Sequence, residues 1–161
     1  RFAEAATQAY ITEYSVNATI IRIFNTYGPN MQLNDGRVVT NFIKQALNNE
    51  DITVYGDGQQ TRSFSYITDT LNGLMKALYY EKSDIFNIGN NNEITINELA
   101  EYIIQLTNSK SNIINKSLPK DDPMQRKPDL TKSQSILGYK PQIDLEEGLL
   151  KTIHWVKQIK R

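Results

Sequence analysis

The sequence predicts an α/β fold, and three observations carry that prediction. Short β-branched runs alternate with longer stretches of helical periodicity along the whole chain, which is the α/β pattern. No internal repeat or low-complexity stretch interrupts the alternation. The run Ala18–Phe24 reads as a buried strand and breaks at once into Asn25-Thr26-Tyr27-Gly28-Pro29. Open α/β sheets bind ligands beyond the carboxyl ends of their strands, so an amide and a hydroxyl there are placed for a ligand. The competing reading is a strand entering a Gly-Pro turn, with Asn25 bonding its own backbone.

The elements follow in order. Residues 1–15 place Phe2, Ala5, Ala6, Ala9, Tyr10 and Tyr14 at helical spacing, giving either a core face or a subunit contact. Strand 18–24 comes next, then a loop over 25–36 closing on Asn34-Asp35-Gly36. Residues 37–48 form a helix with Val38, Phe42, Ile43, Ala46 and Leu47 on one face. Strands are predicted at 52–55 and 61–67, the second pointing Phe64 and Tyr66, or else Arg62, inward. Thr68 and Asp69 are placed to cap a helix over 71–80, and a strand follows at 85–88, ending at Gly89. Thr95-Ile-Asn-Glu98 has the form of a capping box opening a helix to Leu106. A weaker strand is read over 112–118 and irregular chain over 120–127, stiffened by Pro123 and Pro128. Asp129 is placed to cap a short helix over 130–137 that Gly138 stops. The last helix starts at Asp144, with Glu146 and Glu147 at its positive end and Lys157, Lys160 and Arg161 at its negative end.

Composition removes several function classes. With 161 residues the chain can bury one sizeable core. It has no cysteine, so disulfides and thiol chemistry are excluded, and its one histidine gives no basis for a metal site. His154 beside Trp155 reads as structural. Lys+Arg and Asp+Glu are both 18, so no global field favours nucleic acid or an anionic membrane. No apolar run approaches the ~20 residues that span a bilayer, and no signal peptide is evident, so a cytoplasmic location is expected.

Four basic side chains stand beside turn signals instead of on helical faces: Arg37, Arg62, Arg126 and Lys127. Guanidinium groups near a strand end suit a phosphate or carboxylate, because the fork pairs bidentately with either. The alternative for each is a solvated surface charge. Residues and spacing therefore reach an α/β chain binding an anionic ligand, and stop there.

Four segments go further: Arg22-Ile-Phe-Asn-Thr-Tyr-Gly-Pro29, Asn34-Asp-Gly-Arg-Val-Val39 with the helix after it, Val54-Tyr-Gly-Asp-Gly58 through Thr61-Arg-Ser-Phe64, and Asp121-Asp-Pro123 through Arg126-Lys-Pro-Asp129. In this order they resemble the C-terminal half of the extended short-chain dehydrogenases/reductases that act on nucleotide sugars. The second and fourth most resemble the UDP-glucuronate decarboxylases. The resemblance covers essentially the whole chain. It implies an NAD(P)-binding Rossmann-type fold, with residues 1–30 and 65–92 completing a Rossmann domain whose N-terminal part lies upstream. Residues 31–64 and 93–161 would form most of the small nucleotide-sugar-binding domain.

The activity it implies is NAD-dependent decarboxylation of UDP-glucuronate to UDP-xylose through a 4-keto sugar. A 4,6-dehydratase or 4-epimerase, or a non-catalytic binding module, are the alternatives. That family's Tyr-x-x-x-Lys pair and glycine-rich turn do not occur in this sequence, which resembles the family from just after the Lys. By the resemblance, Thr26, Gln32 and Arg37 would meet NAD, although the decarboxylases often carry His where Gln32 stands. Tyr10, Asn25, Arg37, Arg62 and Arg126 would meet UDP-glucuronate. Arg126 would lie near the diphosphate and the glucuronate carboxylate, the one residue with a possible catalytic role, and Lys127 is taken as its solvated neighbour. No metal is implied. A homodimer through the helix at 1–15 is expected.

Overall fold

The computed structural model describes residues 2–117 and 123–159. Its strand pairings are mostly parallel, as an α/β chain requires. Strand β1 (Thr19–Ile23) runs parallel to β6 (Asp84–Ile88), with Ile20 opposite Ile85 and Ile21 opposite Phe86. Helix α3 (Ile67–Leu78) lies on this pair at very short range: a Cβ on Gly73 would stand 2.6 Å from Ile88 Cγ2. Ile88 packs with Leu130 and Tyr139 in a small cluster, where the Tyr139 hydroxyl donates to the Gly89 carbonyl at 2.7 Å.

The larger core lies beyond. Helix α2 (Val38–Leu47) buries Val39, Phe42, Ile43 and Ala46, a three-and-four spacing that makes one apolar stripe. Helices α4 (Ile96–Thr107) and α6 (Leu145–Ile159) do the same with Leu99 and Ile103, and with Leu149, Ile153 and Val156. These helices close over β3 (Ile52–Tyr55), whose Ile52 and Val54 are fully buried and which pairs in parallel with β8 (Ile113–Lys116). At ~1.5–3 kcal/mol per fully buried aliphatic or aromatic side chain, this stripe-on-stripe packing outweighs any helix propensity involved.

Between the two cores the chain uses very short strands. β2 (Thr26–Tyr27) pairs in parallel with β5 (Ser65–Tyr66). β4 (Thr61–Ser63) is the centre of a three-stranded sheet, antiparallel to β7 (Glu93–Thr95) and parallel to β9 (Gln125–Arg126). The single strand predicted over 61–67 is thus divided at Phe64, and both faces of 62–66 are covered, so Arg62, Phe64 and Tyr66 are buried together with Ser63 and Ser65. β2 and β9 fall in stretches predicted as loop or irregular chain, and no strand is predicted for β7.

Other boundaries differ for identifiable reasons. Helix α3 starts at Ile67, four residues early, because β5 feeds it directly; its N-cap Tyr66 makes no side-chain capping bond. Asp69 is therefore no cap: it is buried and accepts from the Ile143 amide at 3.0 Å. The capping box forms as predicted, with the Thr95 hydroxyl and the Glu98 carboxylate each holding the other's backbone N–H. Asp129 accepts from the Thr131 amide at 2.9 Å, and Gly138 ends α5 (Thr131–Leu137) in the left-handed region. His154 is exposed on α6, where its ring meets the Gln158 side chain one turn on at 2.9 Å. Leu118, Lys120–Asp122, Lys160 and Arg161, invoked above, lie outside the described residues.

Helix α1 (Phe2–Tyr14) buries none of its residues, so a core face within this chain is not what its alanines make. Arg22 holds it to β1 through a bidentate pair with Glu4, at 2.7 and 2.6 Å. No helix among the described residues is long and apolar enough to cross a membrane.

Candidate nucleotide-sugar site

A cleft of about 600 Å³ opens where the short strands meet the first turn of α2. Its polar members come from separate stretches of sequence and include Asn25 and Thr26, Arg37 and Asn41, Thr53, Gln60 and Arg62, and Arg126. Apolar and aromatic walls come from Phe42, Tyr55 and Phe64. A largely apolar cavity with a few convergent polar groups is the usual form of a small-molecule site.

Each polar group is fixed by the local fold. Asn25 follows the end of β1; its Nδ2 donates to the Ser63 carbonyl at 3.0 Å, and its own carbonyl accepts from the Ser65 amide at 3.1 Å. The reading in which Asn25 merely bonds its own turn is not what forms. The residue ties the end of the first strand to the β4–β5 junction. Thr26 shares its hydroxyl between the Phe24 carbonyl (3.3 Å) and Thr70 (2.9 Å). Tyr27 behind it is buried, its ring edge-on to Phe64 and Tyr66, and burial pushes its phenol well above the ordinary range.

Arg62 is 7% exposed. Its Nη1 donates to the Thr61 carbonyl at 2.8 Å and reaches the Met124 carbonyl at 3.5 Å. Arg126 is its direct partner in the parallel β4–β9 register, so two guanidinium groups enter the cleft from adjacent strands. Arg37 is the N-cap residue of α2 and pairs with Asp35 at 3.0 Å while staying largely exposed. The helix has no side-chain cap at that end, and its start, Gly36 to Val39, lines the cleft. Two cationic side chains, a third at the rim and a helix N-terminus form a cradle for a polyanion.

Asn25, Thr26, Arg37, Arg62 and Arg126 are thus brought together, while Tyr10 and Gln32 are not. Tyr10 lies on α1, 62% exposed, with its ring beside Tyr14. Gln32 is exposed outside the cleft, where Met31 is the lining residue. Gln60 is a lining residue that no sequence signal isolated; it is 4% exposed and its amide donates to the Tyr55 carbonyl at 2.7 Å. A buried glutamine after a Gly-Asp-Gly turn reads as loop polarity, and only the fold shows it folding back. Lys127 is exposed, as expected of a solvated charge, and also pairs with Glu93 at 3.1 Å. Among the described residues no acidic or histidine cluster could hold a metal ion.

Comparison with known proteins fits this geometry. The family described as NAD dependent epimerase/dehydratase matches residues 1–89, more than half of the chain. The chain belongs to that family. Among curated relatives of this epimerase/dehydratase chain, UDP-glucuronic acid decarboxylase 1 of Xenopus tropicalis is 47% identical over 158 residues, 98% of this chain and 38% of that protein. UDP-glucuronic acid decarboxylase 2 of Arabidopsis thaliana is 46% identical over 92% of this chain and 34% of that protein. The chain therefore spans little more than a third of these relatives. In structure it is similar to the UDP-glucose 4-epimerase of Thermotoga maritima solved with UDP-glucose, at TM-score 0.93 and 28% identity, covering 98% of this chain and 52% of that one. The UDP-glucuronic acid 4-epimerase of Bacillus cereus, solved with UDP-glucuronic acid and NAD, gives 0.89 and 27%, covering 97% and 50%.

Proposed function

We propose that this epimerase/dehydratase chain is the nucleotide-sugar-holding portion of an enzyme that converts UDP-glucuronate to UDP-xylose with NAD. The observation that carries the reading is the pairing of Arg62 and Arg126 across β4 and β9 at one wall of the cleft. A UDP-sugar acid offers two kinds of anion, a diphosphate and a carboxylate, and two forked cations on neighbouring strands can hold both. The N-terminus of α2 adds donors for the diphosphate, and Phe42, Tyr55 and Phe64 offer apolar area for a base. The names of the curated relatives supply the choice of decarboxylation.

The residues present bear on the cofactor at one edge only. β1 and β6 end side by side near Phe24 and Gly89, with Asn25 and Thr26 just beyond. No Gly-x-Gly-x-x-Gly turn for a pyrophosphate occurs in the sequence. Thr26 would meet the nicotinamide side through a hydroxyl already shared with Thr70, and Asn25 beside it would meet the sugar nucleotide. NAD, when bound, supplies reversible oxidation at C4 of the sugar. Once C4 is a ketone, the sugar carboxylate is β to it and can leave as carbon dioxide. Arg126 would orient that carboxylate through the two N–H donors of its guanidinium fork. Arg62, Arg37 and the α2 N-terminus would hold the diphosphate, and Arg126, beside Arg62 in the register, would pair with the diphosphate as well as the carboxylate. The unburied apolar side chains of α1, Phe2, Tyr10 and Tyr14, suit a helix contact with a second copy, making a homodimer.

A second reading has its own support. The B. cereus neighbour is named for 4-epimerisation and was solved with UDP-glucuronic acid. Product analysis separates the two. The full-length protein, incubated with NAD and UDP-glucuronate, should release carbon dioxide and give UDP-xylose. A C4-epimerised UDP-uronate with its carboxylate retained would replace this reading by the second.

A further inference from the structure

We infer that Glu93 is a positioning residue for Arg126, holding β9 in the one register that turns Arg126 into the cleft; this rests on the nucleotide-sugar reading of that cleft. Side chains alternate faces along a strand, so the neighbours of Arg126 point away from the face it uses. Those neighbours are Gln125 and Lys127, and both are held by one carboxylate on the far strand of the sheet. Glu93 Oε1 accepts from Gln125 Nε2 at 2.7 Å and from Thr61 Oγ1 at 2.8 Å. Its Oε2 meets Lys127 Nζ at 3.1 Å. The Glu93 side chain thus reaches from β7 across the central strand β4 to both flanks of Arg126.

The need for such a clamp lies in the backbone. β9 has two residues, its two ladder partners are Thr61 and Arg62, and it sits at the edge of the sheet. A slip of one residue turns every side chain of a strand to the opposite face. It would point Arg126 away from the cleft and bring Gln125 or Lys127 to it. Gln125 cannot pair bidentately as a cation, and Lys127 offers a point charge where a fork is needed. Glu93 opposes the slip because its three partners are met together only in the observed register. The same three donors, Gln125 first, then Thr61 and Lys127, hold its carboxyl below the usual range, so the clamp stays ionised through mildly acid conditions.

The test uses the full chain with UDP as the probe, titrated by calorimetry, together with hydrogen exchange of the segment 123–130. Glu93→Ala should speed exchange in that segment without ligand and weaken UDP binding ~5-fold or more, in the range of a lost charge-assisted contact. Glu93→Gln, which keeps an acceptor for Gln125 or Thr61, should recover part of both effects. In an Arg126→Ala background, Glu93→Ala should cost no further affinity, since coupled residues are non-additive. Unchanged exchange in Glu93→Ala, or equal losses with and without Arg126, would overturn the positioning role. Failure of the unaltered chain to bind UDP would instead overturn the reading of the cleft, while the exchange measurement still decides whether Glu93 holds β9.

Discussion

Three arginines in this chain share one chemistry and differ in what surrounds them. Arg62 is buried and bonded to backbone carbonyls, Arg37 is largely exposed and paired with Asp35, and Arg126 is exposed on an edge strand. Arg126→Ala in the full-length protein should lower kcat/KM for UDP-glucuronate ~10-fold or more, and Lys should restore only part, for want of a bidentate pair. Lys127→Ala, which sequence reasoning took as neutral, should cost ~2–3-fold, since its pair with Glu93 is one of the contacts flanking Arg126 and is partly exposed. Steady-state kinetics on both variants checks the ordering. Equal, small effects would make Arg126 an ordinary surface charge. Asn25 was legible as a ligand candidate because it ends a strand run, and Arg62 and Arg126 because guanidinium groups beside turn signals suit anions. The sequence could not show Gln60 or Glu93: Gln60 is buried only because its turn folds it back onto the Tyr55 carbonyl, and Glu93 lies 32 residues from both Thr61 and Gln125.

Elements with their own periodicity or capping chemistry were legible, and elements two or three residues long were not. α2, α4 and α6 carry full apolar stripes, and the Thr95–Glu98 box forms as written. β2, β7 and β9 exist because a neighbour offers unpaired backbone, which no pattern within two residues can announce. Thr95→Ala should destabilise the chain by about 1 kcal/mol through loss of the N-cap, read as a lower denaturation midpoint. The Glu98 carboxyl is lowered, first by the Thr95 amide and then by its hydroxyl. Its folded-state affinity for protons is below that of the unfolded chain, so its contribution is complete above the ordinary glutamate range. It fades as pH falls through the depressed value, and Glu98→Gln should flatten that acid limb of the stability curve. α6 supplies a third test. A Cβ on Gly148 would lie 2.1 Å from the Tyr27 hydroxyl oxygen and 3.0 Å from the Tyr66 ring. Both rings are buried, so the clash outweighs the ~1 kcal/mol helix gain from alanine. Gly148→Ala should cost ~1–3 kcal/mol net in chemical denaturation and loosen the aromatic wall behind the cleft.

At the scale of the molecule, two cores meet along the short strands, and the cleft lies at that junction. The pieces that converge there are dispersed along the chain, from Asn25 and Thr26 through residues 36–42 and 53–64 to Ile96 and Arg126. The α/β class was legible from alternation, but this convergence required the parallel pairing of β1 with β6 and of β4 with β9. Helix α1 shows what a single chain does not explain: its spacing is that of a packing helix, yet it buries nothing here. Ala6→Glu with Ala9→Glu in the full-length protein should lower the sedimentation mass at micromolar concentration if this helix joins two copies; an unchanged mass would remove that contact. The central claim, that the cleft holds the UDP portion of a sugar nucleotide, is tested most directly by hydrogen exchange of the chain with and without saturating UDP. Protection should rise in segments 36–42, 53–64 and 123–127 and stay unchanged in α5 and the second half of α6. Protection confined to other segments, or none at concentrations where the solved relatives' ligand class would saturate a site, would contradict it.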